Sequence, residues 1–265
     1  MKKYLKIAHI SFLNYLEYRF DILSNLLMNL LGIGTSYFIW HKLASDYSQI
    51  GSYNQNEIIS YYLISCLFIG FINPRTAKRY ERLIKDGGLS NLLIKPLNEK
   101  LSIFFKEIGG QSFIILLSIL VFSIPIYLIP GIRNELNINP SSIFFTLIFM
   151  VLSNLFLYLM YSAIGVFSFW TDSGGGLRNI IINLIIILRG SWFPLDLAPT
   201  SVQKILSLIP FQYAMYYPVK ILTGETNVSL HIRGIVVLIL SILAFGLLTN
   251  FLWKKGIKKY EAYGN

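Results

Sequence analysis

The sequence predicts an all-α, polytopic membrane protein of six transmembrane helices. An amphipathic interfacial helix precedes the spans, and a broken, re-entrant region follows the fifth. Three observations lead there. Of the 265 residues, 54% are hydrophobic and only 14% are charged, against roughly 25% charged in a soluble domain. Stretches 22–40, 58–74, 108–132, 136–171 and 234–253 carry no Asp, Glu, Lys or Arg, and about 20 such residues cross a bilayer core. Backbone polar groups in lipid must be satisfied internally, so these are helices. The alternation expected of a barrel strand is absent.

The third observation is how the basic charge is sorted. The net charge of +10 invites a nucleic-acid partner, but the charge does not sit on a soluble domain. It is divided by loop, as membrane orientation requires. Lys2, Lys3, Lys6 and Arg19 precede the first span. Arg75, Lys78, Arg79, Arg82, Lys85, Lys95, Lys100 and Lys106 lie between the second and third. Arg178 and the tail Lys254, Lys255, Lys258 and Lys259 complete that face. The other face keeps Lys42, Arg133, Lys204, Lys220 and Arg233. Both termini are therefore expected in the cytoplasm, with an even number of crossings.

The elements follow in order. Residues 1–21 read as an amphipathic helix, with Leu5, Ala8, Phe12, Leu16 and Phe20 at helical spacing and a basic component. Such a helix lies in the cytoplasmic interface as an anchor to anionic lipid, or also touches a cytosolic partner. It is too long a prelude for a cleavable signal. Spans over 22–40 and 58–73 come next. The loop 75–101 is highly charged, yet Leu89, Leu92 and Leu93 form an apolar ridge. Gly87 and Gly88 break the chain before that ridge, and Pro96 ends it. A short helix with exposed leucines needs a membrane surface or a partner's groove.

The third span falls within 102–129, with Pro125 and Pro130 expected to close it. The fourth is long, about 140–170. Residues 171–179, with Gly174–Gly176, read as a flexible turn or hinge. They are not a phosphate cradle, because GxxxxGK[ST] occurs nowhere. A fifth span over 179–194 is interrupted by Arg189. Pro194, Pro199, Pro210 and Pro218 exclude one straight helix over 194–224. That stretch is expected as an outer re-entrant region, including a short helix over 201–208 capped by Thr200. The last span is 234–253. The whole chain, 1–265, reads as one membrane domain.

Catalytic chemistry finds no foothold. HExxH, GxSxG and paired carboxylates within a span are absent. His9, His41 and His231 are far apart, so a metal site is not expected. The lone Cys66 reads as apolar packing. Arg189 is the one charge within a span, and two readings stand for it. It faces a pathway, or it snorkels to the outer interface. The lack of a deep carboxylate weakens a proton- or sodium-coupled carrier. The chain thus offers a route through the membrane without a visible energy source.

Two segments carry a resemblance that covers nearly the whole chain. They are GGLSNLLIKPL at 87–97 and PLDLAPTSVQKILSLIPFQYAMYYPVKILTG at 194–224. Their order resembles permease subunits of ATP-binding-cassette exporters of the type 2 family, in the small six-span bacterial branch. The resemblance implies a non-catalytic half-transporter in a bacterial plasma membrane. Its partners would be a cytosolic ATPase carrying the ATP and Mg, a second permease (identical or different) and membrane lipid, with no nucleic acid. Leu89, Leu92, Leu93 and Pro96 would couple to the ATPase, with the N-terminal helix as a second contact. Phe68, Phe71, Arg189, Trp192 and Phe193 would line the path. The cargo would be amphipathic: a drug, a peptide or bacteriocin, or a lipid. The competing readings are a stand-alone secondary carrier, a lipid-modifying membrane enzyme, and an immunity or structural membrane protein.

Overall fold

The computed structural model describes residues 1–17, 19–46, 51–69, 75–171, 174–191 and 193–260. Among these residues every regular element is helical. In chain order they are α1 (Lys2–Glu17), α2 (Arg19–Asp46), α3 (Gln55–Ile69), α4 (Arg75–Lys85), α5 (Gly88–Leu93), α6 (Glu99–Leu128), α7 (Pro130–Asn134), α8 (Pro140–Val166), α9 (Gly174–Leu188), α10 (Thr200–Leu206), α11 (Phe211–Ala214), α12 (Tyr216–Leu222) and α13 (Val228–Lys259). One 3₁₀ turn, Phe167–Phe169, extends α8, and a second, Leu195–Leu197, follows α9.

Among the described residues, three helices are long and apolar enough to span a bilayer: α6, α8 with its 3₁₀ extension, and α13. Only 12% of the apolar window of α6 and 11% of that of α13 are buried. Val236, Ile239, Leu240, Leu243, Leu247 and Phe251 make an exposed stripe down α13. That reverses the pattern of a water-soluble helix, whose apolar stripe faces the core. The shorter α9 is also strongly apolar.

α8 is the central post. α13, α4, α11 and α12 all pack on it. Its buried Phe149, Phe156, Leu157, Met160 and Tyr161 meet Tyr61, Ile64 and Phe68 of α3 and Tyr213, Met215, Tyr217 and Val219 of the proline-rich segment. Close approach depends on glycine. A Cβ on Gly165 would stand 2.7 Å from the Ala77 carbonyl oxygen and from Tyr80 Cβ. Gly165→Val is therefore expected to cost about 1–3 kcal/mol by overpacking. A lowered midpoint of thermal unfolding in detergent would register it, and an unchanged midpoint would show that α4 can move off α8 freely.

Several expectations need correction. Pro125 does not close the third span, because α6 continues to Leu128. A proline removes one hydrogen bond behind it but leaves the chain ahead free to stay helical. Pro130 instead opens α7. Gly174–Gly176 form the first turn of α9, not a flexible turn. The apolar helix expected over 179–194 thus begins earlier and ends at Leu188. The short helix begins at Thr200 itself, with Pro199 at the cap position and no side-chain cap. α1 packs on α6 through Tyr4, Ala8, Ser11, Phe12 and Tyr15, so of the predicted apolar set Ala8 and Phe12 face the bundle. Leu5, Leu16 and Phe20 are exposed.

Candidate functional site

The basic charge and the short α5 helix meet at one end of the bundle. α5 is only six residues long, far below what holds a helix in isolation. Its position is therefore a tertiary matter. Gly87, at its N-cap, has φ 73°, the left-handed region that glycine enters at little cost. Leu89 is fully buried among Tyr80, Ile84, Ile103, Val166, Phe169 and Trp253. Those residues belong to α4, α6, the end of α8 and α13. Ser90 and Tyr260 share a hydrogen bond of 3.0 Å. Trp253 Nε1 donates to Glu99 at 3.1 Å, and Lys100 Nζ donates to Asn250 at 2.7 Å.

The predicted leucine ridge is thus split. Leu89 is an anchor, because a helix this short has to lose one face to the bundle to hold its place. Leu92 is half-buried. Leu93 is 40% and Ile94 81% exposed, and Pro96 is exposed behind them. Ile94 joins the outward tip although its predicted neighbours did not include it.

Ion pairs tie α4 to two other helices. Arg79 Nε lies 2.8 Å from Glu107 of α6. Glu81 pairs with Arg178 of α9 and, at 3.4 Å, with Lys85. The helix that carries α5 is thereby tied to α6 and α9, and it packs on α8. Glu107 is 7% exposed. Sequence reasoning missed this carboxylate, although it stands immediately before the uncharged run 108–132.

At the opposite end the broken segment is stapled to the core. α9 stops where Gly190 takes φ 76°. Tyr61 Oη donates to the Gly190 carbonyl at 2.6 Å, and Tyr216 N donates to the Arg189 carbonyl at 3.0 Å. A Cβ on Gly190 would lie 2.9 Å from Leu195 and 3.0 Å from Tyr61 Oη. Tyr53 Oη donates to Asp196 at 2.5 Å, and Lys220 Nζ donates to Tyr53 Oη at 2.9 Å and to Asp196 at 3.3 Å. Burial, reinforced by the Asp196 bond, pushes the Tyr53 phenol well above its ordinary range, so it remains a donor. Ser153 Oγ reaches the Tyr213 carbonyl at 3.1 Å, and Tyr217 Oη pairs with His231 Nδ1 at 3.1 Å. The proline-rich stretch is part of the core.

Arg189 lies inside the bundle. It is 4% exposed, and its Nε donates to Ser191 Oγ at 2.5 Å. It forms no ion pair among the described residues, and its Nη1, like Tyr161 Oη, has no hydrogen-bond partner among them. The curled backbone at Gly190 holds its base inside. Burying an unmatched cation costs several kcal/mol of desolvation, and an apolar side chain of similar length in its place removes that cost. Arg189→Met is expected to raise the thermal midpoint in detergent. A lower midpoint would mean that the guanidinium supports the fold. Phe68 is 3% exposed in the core and Phe193 is half-buried. Phe71 and Trp192 lie outside the described residues.

Residues 30–264 match a family described as ABC-2 family transporter protein. The chain belongs to that family. The match takes in every long apolar helix from within α2 onward, the α4–α5 unit and the broken segment. The protein is an integral membrane permease, a transport component of the ABC type. A search of the curated proteins found no match. In the permease, among the described residues, no three His, Cys, Asp or Glu side chains gather as a metal site would need. Cys66 is buried and free. The groups that stand out are instead mechanical: an outward apolar tip on α5, a buried anchor beneath it, and a braced α4.

Proposed function

We propose that the permease is one half of an ATP-driven exporter. A separate cytosolic ATPase supplies the ATP and Mg, and a second permease, identical or different, completes the path. Six crossings place both termini in the cytoplasm of a bacterial cell: α2, α3, α6, α8, α9 and α13. The sorting of Lys and Arg supports that orientation. α1 lies in the inner interface, and 194–224 re-enters from the outer side.

The observation that carries the proposal is the division of α5. Leu93 and Ile94 face outward, while Leu89 is gripped by the ends of α6, α8 and α13. A partner that seizes the tip moves the spans through the anchor. The coupling residues are therefore Leu92, Leu93, Ile94 and Pro96 for contact and Leu89 for transmission. ATP binding would close the ATPase pair, and that closure would bias the bundle between two arrangements.

The path would run beside α3 and α9, past Arg189 and Phe193. Phe68 would be reached only when those helices part. The proposed cargo is an amphipathic molecule leaving the cell: a drug, a peptide or bacteriocin, or a lipid.

The test is recovery of the tagged permease in mild detergent from its native membrane. A co-purifying P-loop ATPase, together with ATP-dependent solute movement in proteoliposomes, is the expected result. Recovery alone, with transport that needs no ATP, would overturn the exporter reading in favour of a secondary carrier.

A further inference from the structure

A groove of about 640 Å³ opens at the basic end between α1, α4, α5 and α6. Its floor is apolar, made by Ile7, Ile10, Leu92 and Ile103 among others. Its rim carries six cations: Arg75, Lys78, Arg79, Arg82, Lys95 and Lys106. None of the described residues that line it is acidic. Arg79 is offset by Glu107. Arg75 donates to Tyr15 Oη at 2.5 Å and lies over that ring. Lys78, Arg82, Lys95 and Lys106 have no ion-pair partner among the described residues. Several like charges around one concavity repel one another unless an anion sits between them.

The position of the groove decides which anion. α1 presents Leu5, Leu13 and Leu16 away from the bundle, as a helix lying in the interface does. The groove therefore opens at headgroup depth, and its apolar floor lies against α6. Basic pockets beside transmembrane helices hold anionic headgroups. An acidic protein loop would use the rim but leave the isoleucine floor unfilled. The volume falls in the range of small-ligand sites.

We infer that this groove binds one anionic phospholipid from the leaflet at the basic end, phosphate against Arg82, Lys95 and Lys106, acyl chains along Ile7, Ile10 and Ile103. The bound lipid would wedge α1 against the α4–α5 unit. This site adjoins the outward tip of α5 through Leu92 and Lys95, but its test reads lipid binding and does not depend on an ATPase.

The full-length permease in neutral detergent micelles would be titrated with fluorescent short-chain phosphatidylglycerol and, in parallel, with the phosphatidylcholine analogue. Tighter binding of phosphatidylglycerol that millimolar inorganic phosphate does not displace is expected. The combined Arg82→Gln, Lys95→Gln, Lys106→Gln variant should bind it about 100-fold more weakly. The combined Lys255→Gln, Lys258→Gln, Lys259→Gln variant in the tail should bind as wild type. If the groove variant does not fold by thermal melting, the wild-type preference for phosphatidylglycerol and its resistance to phosphate still decide. Equal binding of the two lipids, or full displacement by inorganic phosphate, would overturn the proposal. So would a groove variant that keeps the lipid but no longer recovers a protein partner, since the groove would then be a protein seat.

Discussion

Leu93→Asp combined with Ile94→Asp is expected to leave the permease inserted and folded and to abolish its stimulation of the partner ATPase. Both side chains are exposed, so the substitution empties no cavity and buries no charge in the permease itself. In a complex the tip would be covered. Each apolar anchor at the centre of such a contact is worth about 2 kcal/mol or more, so losing both weakens association roughly a thousandfold. The measurement is ATP hydrolysis by the purified ATPase as wild-type or variant permease is added in proteoliposomes. Undiminished stimulation would remove α5 as the coupling element, whatever the fate of the lipid groove.

Leu89→Ala is expected to do something different. Leu89 is fully buried, and truncating such a leucine costs about 2–5 kcal/mol. The loss falls on the seat of α5 among Tyr80, Ile103, Phe169 and Trp253, while α8 and α13 keep their mutual packing. Leu93 and Ile94 remain available, so the ATPase should still bind. The ratio of solute moved to ATP hydrolysed should fall, because the tip would move without carrying the spans. That ratio, compared with wild type in the same proteoliposomes, is the readout. An unchanged ratio would mean that α5 transmits no motion through Leu89. Loss of ATPase binding itself would mean that the anchor only shapes the docking tip.

The contrast between these two leucines marks where sequence reasoning stopped. In the string GGLSNLL both are leucines on a short helix between glycines and a proline. Helical periodicity puts Leu89, Leu92 and Leu93 on neighbouring positions, and the charged surroundings imply that they are all exposed. Nothing local distinguishes the one that faces Trp253, which lies more than 160 positions along the chain. The surroundings of Arg189 were illegible for a related reason. Its place late in an apolar run fits either a pathway or the outer interface, and says nothing of what packs around it. Only the turn at Gly190, held by Tyr61 and Tyr216, keeps it inside.

By itself the sequence determined the all-helical class, the membrane setting, the short helix between two glycines and a proline, and the broken, proline-rich stretch beyond Gly190. Those follow from the number of consecutive apolar residues, from where lysine and arginine fall, and from the backbone limits of glycine and proline. They are local properties, legible in order. Tertiary structure alone decided that the proline-rich segment is core, that α4 is braced by Glu107 and Arg178, that Leu89 is buried while Leu93 and Ile94 are not, and that six cations ring an apolar groove. Burial and charge pairing belong to contacts between residues far apart in the chain, and a bundle wound around α8 sets them only when every helix is in place.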